Sequence, residues 1–491
     1  MAEEVTLGDV DLATVKVRTV SGIATLISRS FLLQVVATGG FFLLSVFLGR
    51  PEIGLFIAVN DLVSILGYFS DIGLAASLVQ KKDRVTLSDL RTTFTIQQSL
   101  VLVLILVMLA LSGWLFGYYH IAGPGTWLFY SLLAAFFLAS LKTIPSVVLE
   151  RQVRFEVIAA VEVVENLIFY ATAVLLAWRG GGVASYAWAV LLRGIIGTAL
   201  IYYLAPWKVG FDWSKSSLKT LLSFGLPYQI NTLLATVKDR FVNILLWKII
   251  GADGVGIIGW AQTWSQKPLR FVMDNVTRVT FPSFARLQDQ PAQLRAAIEK
   301  TLFFITALTF PIVGGIAVWG PTVVKLIPRY GKWEVALLPL TLYCFNSAWA
   351  AVSTPLTNTL NALGKVKTNT LLMIMWTVLT WLLTPWLAIK YGYVGVAYAT
   401  AIIAVSSIVP IIIVKSLTQF SLWSSVVKPF LATLAMMSAA VVVTRVLPIS
   451  WPDLAVNFVV SGGVFTLVIY LLVGKSLVID ATQLWYAFRK K

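Results

Sequence analysis

Thirteen ionisable side chains stand inside stretches that are otherwise apolar: Arg29, Asp61, Asp71, Lys142, Glu162, Glu165, Arg193, Lys238, Asp239, Arg240, Lys267, Arg270 and Asp274. In hydrocarbon each costs about 2.5–3.5 kcal/mol on insertion scales, so each needs a partner or a water-filled cavity. Lys267, Arg270 and Asp274 are spaced i, i+3, i+7 and share one helical stripe, extended by Trp264, Gln266 and Gln262. Glu162 and Glu165 are i, i+3; two adjacent carboxylates repel in low dielectric and require a proton or a cation beside them. Lys238 and Arg240 are two apart and cannot share a face. The plainer readings are intrahelical pairing for Lys267 with Asp274, snorkelling for Arg29, Lys142 and Arg193, and a helix boundary for Asp71 beside Gly73. As a set, the thirteen charges describe a lined intramembrane cavity.

The elements that must position them follow from composition. The chain has 491 residues, 58% hydrophobic and only 12% charged. A soluble globular chain is about a quarter charged. A soluble enzyme, a nucleic-acid module and a disordered regulator are therefore excluded, and the fold class is all-α integral membrane. A single Cys, Cys344, excludes a disulfide framework, and a single His, His120, excludes His-cluster metal chemistry. Cys344 reads as a packing residue and His120 as a solvated residue of a short outer loop. The absence of a Gly-rich phosphate loop with Lys excludes an ATP-driven pump within this chain.

A membrane helix needs about 20 largely apolar residues. Fourteen such stretches are expected, at 21–49, 52–80, 92–119, 125–148, 155–178, 183–207, 218–250, 254–279, 301–326, 335–360, 369–389, 393–413, 426–446 and 454–473. Breakers fall between them, among them Arg50-Pro51, Gly123-Pro124, Gly180–Gly182 and Gly251–Asp253. Lys and Arg, 38 against 22 Asp and Glu, gather on one set of connections. By the positive-inside rule these are cytoplasmic, with both termini, and the protein is a multi-pass protein of the cytoplasmic membrane. Lys325, Arg329 and Lys332 run against that bias. Residues 1–20 hold Glu3, Glu4, Asp9 and Asp11 and no apolar core, so the first helix acts as its own insertion signal.

The chain reads as duplicated. Gly49 and Gly54 recur as Gly251 and Gly256, each offset by 202 residues. Gln152–Arg154 recurs as Lys365–Lys367, and Gly182–Ala184 as Gly395–Ala397, each offset by 213. The expected organisation is a cytoplasmic segment (1–20), an N-lobe of helices one to six (21–210), a C-lobe of helices seven to twelve (211–420), two extra helices (421–475) and a basic tail (476–491). Six is even, so the repeats share one orientation and frame a central cleft.

Several segments resemble one family. They are Leu48–Phe56, Ser70–Leu74 with Leu78–Lys81, Leu149–Phe155, Phe224–Pro227, Phe281–Phe284 and Leu360–Lys365. Together they resemble the Wzx-like oligosaccharide flippases of the polysaccharide transporter family, in the multidrug/oligosaccharidyl-lipid/polysaccharide superfamily, and within it exporters of colanic-acid type. The resemblance implies two six-helix lobes, alternating access, and a sugar oligomer on an isoprenoid pyrophosphate as substrate. It implies a cationic cavity, for which Arg29, Lys238, Arg240, Lys267 and Arg270 are the candidates. Trp260 and Trp264 are the rings on which sugars would stack. Asp61, Glu162, Glu165, Asp239 and Asp274 depart from a purely cationic lumen and are the candidates for H⁺ or Na⁺ coupling. No enzyme activity, cofactor, metal or nucleic acid is expected. The expected partners are lipid-linked oligosaccharide, membrane lipids and a polysaccharide polymerase, with the chain itself a monomer. The alternatives are a multidrug or cation antiporter of the same superfamily and an integral-membrane polymerase or ligase.

Overall fold

The computed structural model describes residues 31–81, 85–215, 218 and 241–474, apart from the side chains of 274, 275, 278 and 279. The described residues form helices and no strand. Eleven of the helical stretches are long and apolar enough to cross a membrane, and Phe31–Phe47 is a shorter apolar helix. The expected first helix begins outside the described residues, and most of the expected seventh, 219–240, lies outside them. The chain divides into two compact units, Met1–Gly256 and Ile257–Lys491.

In the first unit the helices are α1 (Phe31–Phe47), α2 (Arg50–Asp71), α3 (Leu87–Tyr119), α4 (Pro124–Arg151), α5 (Phe155–Trp178) and α6 (Ala184–Leu204). Their ends follow from capping chemistry. Pro51 lies in the first turn of α2, where its missing N–H costs nothing, and Glu52 accepts the N–H of Gly49 at 2.5 Å. Ile72 and Gly73, both left-handed, stop α2. Asp71, one of the thirteen in-span charges, then accepts the N–H of Ala75 at 3.0 Å and so serves the short helix Leu74–Gln80. Arg151 Nη1 donates to the carbonyls of Leu78 and Lys81, both at 2.8 Å, and satisfies the other end of that helix. Thr86 and Asp89 form a capping box at α3, and Lys81 pairs with Asp89 at 2.7 Å.

Past α6 the chain runs back along the first turns of α3. Ser88 donates to Asp212, Thr95 Oγ1 accepts the Asp212 N–H at 3.1 Å, and Thr92 Oγ1 accepts the Ser214 N–H at 3.2 Å. Ser88 and the Trp213 N–H hold the exposed Asp212 carboxyl below the ordinary aspartate range.

Helix α7 (Val242–Arg286) runs from the first unit into the second and is broken at Gly251 (φ 68°, ψ 177°). The break falls between the expected helices seven and eight. In the second unit follow α8 (Pro291–Leu326), α9 (Leu337–Ala362), α10 (Val366–Val405), α11 (Ile408–Thr418), α12 (Lys428–Val446) and α13 (Trp451–Val473). Helix α10 breaks at Gly392 (φ 62°), between the expected helices eleven and twelve.

Both units leave broad apolar faces uncovered. Only 17% of the most apolar stretch of α3 is buried, and the same holds for α13. Leu102, Val103, Leu106 and Val107 stand exposed in one run. Faces of that size are stable against lipid and not against water. This is a multi-pass membrane protein.

Polar side chains join helices where packing alone gives little drive. The buried Asn457 of α13 donates to the Ala440 carbonyl (3.0 Å) and to Thr444 (2.8 Å) on α12, and accepts from Trp319 of α8 (3.3 Å). Asn457→Leu is expected to lower the stability of the purified protein by about 1–2 kcal/mol, read as a lower melting temperature in detergent. An unchanged transition would show that the bonds hold nothing together.

The glycines of the expected repeat meet in the structure. A Cβ added to Gly54 would overlap the Ala252 carbonyl oxygen, and one added to Gly256 would overlap that of Arg50. Residue 252 is residue 50 displaced by the repeat offset. The contact is therefore made twice, each repeat supplying the glycine to the other's carbonyl. A reciprocal contact of this kind is what two-fold related segments make.

Candidate functional site

Apart from the capping Asp71, the described in-span charges lie at two places in the first unit and one in the second. On α4, α5 and α6, Glu165 is buried, and its carboxylate is shared by two cations. Lys142 Nζ lies 2.5 Å from Oε1 and Arg193 Nε 3.7 Å from Oε2. The guanidinium of Arg193 stands 6.0 Å from the centre of the Phe169 ring. Room for the carboxylate comes from Gly197 on α6, where any Cβ would overlap it. Two cations around one carboxylate leave an excess positive charge. The cation that the Glu162–Glu165 pair requires is thus supplied from α4 and α6. Glu162 is half-buried on α5.

Asp61 of α2 is buried, and its Oδ2 accepts a hydrogen bond from Asn243 of α7 at 2.9 Å. That bond ties the second helix of the chain to the start of α7.

In the second unit, α7 carries the aromatic and basic stripe. Lys267 Nζ lies 5.6 Å from the centre of the Trp264 ring, and Arg270, exposed, donates to Gln266 at 3.2 Å. Pro268 lies between them inside the helix. Trp260 is placed differently from its neighbours. Only 3% of it is exposed, its ring is stacked on Trp333 at 5.0 Å, and its N–H donates to Tyr330. The ring surface expected to meet a sugar is taken by another indole, so Trp264 is the one of the two rings beside the basic groups.

Arg29, Lys238, Asp239 and Arg240 lie outside the described residues, as does the side chain of Asp274. Lys142 and Arg193, open in the sequence to a snorkelling reading as well as a cavity one, pair with Glu165. The signal that relates them is the glycine at position 197, which makes room for the carboxylate between them.

The chain is similar to proteins of known family. A family model described as polysaccharide biosynthesis protein matches residues 43–336. An uncharacterized membrane protein of the cps region of Klebsiella pneumoniae is 22% identical over 452 residues, covering 87% of this chain and 89% of that one. The lipopolysaccharide biosynthesis protein WzxC of Escherichia coli is 24% identical over 64% of each chain. The teichuronic acid biosynthesis protein TuaB of Bacillus subtilis is 23% identical over 74% of this chain and 76% of its own. Among solved structures, the lipid II flippase MurJ in an inward closed conformation superposes with a TM-score of 0.75 at 14% identity, over 92% of this chain and 99% of that one. A multidrug resistance MATE family transporter superposes at 0.58, with 16% identity, over 81% and 99%. The fold is that of MurJ and of this MATE transporter.

Proposed function

From its membership of the polysaccharide biosynthesis protein family, to which this chain belongs, we propose that it is a flippase for isoprenoid-pyrophosphate-linked oligosaccharide, working by alternating access in the cytoplasmic membrane. The observation that carries the reading is the pairing of this membership with basic side chains inside a transporter fold. A pyrophosphate and its sugars cannot cross about 30 Å of hydrocarbon unaided. Lys267 and Arg270 offer charge-assisted donors to the phosphates, and Trp264 an aromatic surface beside them. Arg29, Lys238 and Arg240 extend the same role by their charge. Asp61, Glu162, Glu165, Asp239 and Asp274 are the carboxylates through which H⁺ or Na⁺ would couple; of these Glu165 is already neutralised by two cations, so Asp61 and Glu162 come first. The basic groups weigh against the multidrug antiporter, whose site would be acidic and aromatic.

The test is translocation of a fluorescent isoprenoid-pyrophosphate oligosaccharide in vesicles containing the purified protein. Arg270→Ala and Lys267→Ala are each expected to lower the rate about tenfold or more, because one charge-assisted bond is worth roughly 1.5–3 kcal/mol. Translocation no faster than in protein-free vesicles would sink the assignment; full activity of both variants would remove the phosphate from this stripe.

A further inference from the structure

At one end of the first unit, turns from four parts of the chain enclose a cavity of about 400 Å³. That lies within the range of about 300–1,000 Å³ seen for small-molecule sites. None of the thirteen in-span charges lines it. Its walls come from the start of α2, the turn after α3, the residue before α6, and Trp247 to Ala252 of α7.

One wall is a rigid aromatic surface. The ring of Tyr119 is stacked at 4.4 Å on Trp247, which is itself buried. Three polar groups stand beside it. Lys248 lies 4.2 Å from the centre of the Tyr118 ring and donates to the Tyr118 carbonyl at 2.9 Å, a bond that uses one of its three N–H groups. Glu52 is fixed through one oxygen by the Gly49 N–H. His120 lines the same space. The set holds one anion, one cation and an imidazole, so it has both donors and acceptors and little net charge. A hydrocarbon chain would leave these groups without partners, and a phosphate would meet the Glu52 carboxylate. A pyranose fits both halves: its C–H face suits an aromatic ring and its hydroxyls suit mixed donors and acceptors.

The backbone adds a second observation. His120 ends α3 in the left-handed region, at φ 55° and ψ 40°. Glycine is the usual residue at such a helix end, and histidine is one of the few others enriched there. The single His of the chain occupies that position on the cavity wall.

We infer that this cavity is a saccharide-binding subsite, which takes a pyranose of the transported head group at the membrane surface, apart from the basic stripe of α7. Its place in transport rests on the flippase reading; the binding itself does not.

Saturation-transfer NMR on the full chain in detergent tests it, with methyl β-galactoside, methyl β-glucuronide and, as the lipid-headgroup control, glycerol 3-phosphate. Wild type is expected to bind at least one glycoside and not the control. His120→Gly relieves the backbone, so the protein stays folded while glycoside binding weakens at least tenfold; Glu52→Gln, which keeps the bond to Gly49, weakens it as well. Binding of neither glycoside, unchanged binding by a folded His120→Gly, or displacement of the glycoside by glycerol 3-phosphate would each overturn the inference. A protein that translocates lipid-linked oligosaccharide but binds no glycoside loses this subsite and keeps the flippase reading; one that binds glycoside through His120 without translocating does the opposite.

Discussion

Gly54→Val is expected to remove nearly all folded protein from a detergent extract, and Gly256→Val to do the same. In each case the new Cβ overlaps a backbone carbonyl, that of Ala252 or of Arg50, and not the mobile end of a side chain. Neither helix can yield without moving the other. The loss belongs with the exceptional substitutions, at about 4 kcal/mol or more. Gly67→Ala is the control. Gly67 lies in the same helix, nothing stands near an added Cβ there, and alanine favours the helix by roughly 0.5–1 kcal/mol. Size-exclusion profiles of the solubilised variants decide the matter. A monodisperse peak for Gly54→Val at wild-type yield would mean that the two segments are not locked together.

The second large effect belongs to Glu165. Glu165→Leu leaves Lys142 and Arg193 facing each other with no carboxylate between them. Removing one partner of a buried pair costs about 3–5 kcal/mol. Arg193 is 43% exposed and keeps some of its water, which places the loss at the lower end. The double variant Lys142→Met with Glu165→Leu is expected to recover part of it, since an apolar replacement of both partners removes the stranded charge. Melting of the three proteins in detergent separates the cases. A double variant no more stable than Glu165→Leu would show that packing against Gly197, and not charge, holds the three helices.

Much of this architecture is written in apolarity and in breakers. The stretch 155–178 expected from composition is the helix observed, and the other spans of the first unit agree to within a few residues at most ends, because Gly123-Pro124 and Gly180–Gly182 stop them. Gly251 and Gly392 are legible as interruptions, and at both the backbone leaves the helical region, so two helices meet there at a kink. The pairing of charges was not legible. Lys142 and Glu165 are distant in sequence and meet only because α4, α5 and α6 pack around small residues. For Asp71 the sequence leaves an in-span charge and a helix boundary beside Gly73 both open, and the left-handed pair Ile72-Gly73 decides for the boundary. His120 is exposed, as expected of a solvated loop residue, and its neighbours in space come from turns that no periodicity brings together.

Helix α3 has 33 residues and so rises about 50 Å, against a hydrocarbon core of about 30 Å. Its last 20 residues, from Leu100 to Tyr119, match the core by themselves. Its first turns, with Arg91, Thr92 and Thr95, carry the strand of chain that follows α6 and hold it through hydrogen bonds. A thicker bilayer would draw those bonded groups out of water, and a thinner one would strip lipid from the leucines and valines. The length of this one helix is therefore expected to make the protein's stability depend on bilayer thickness.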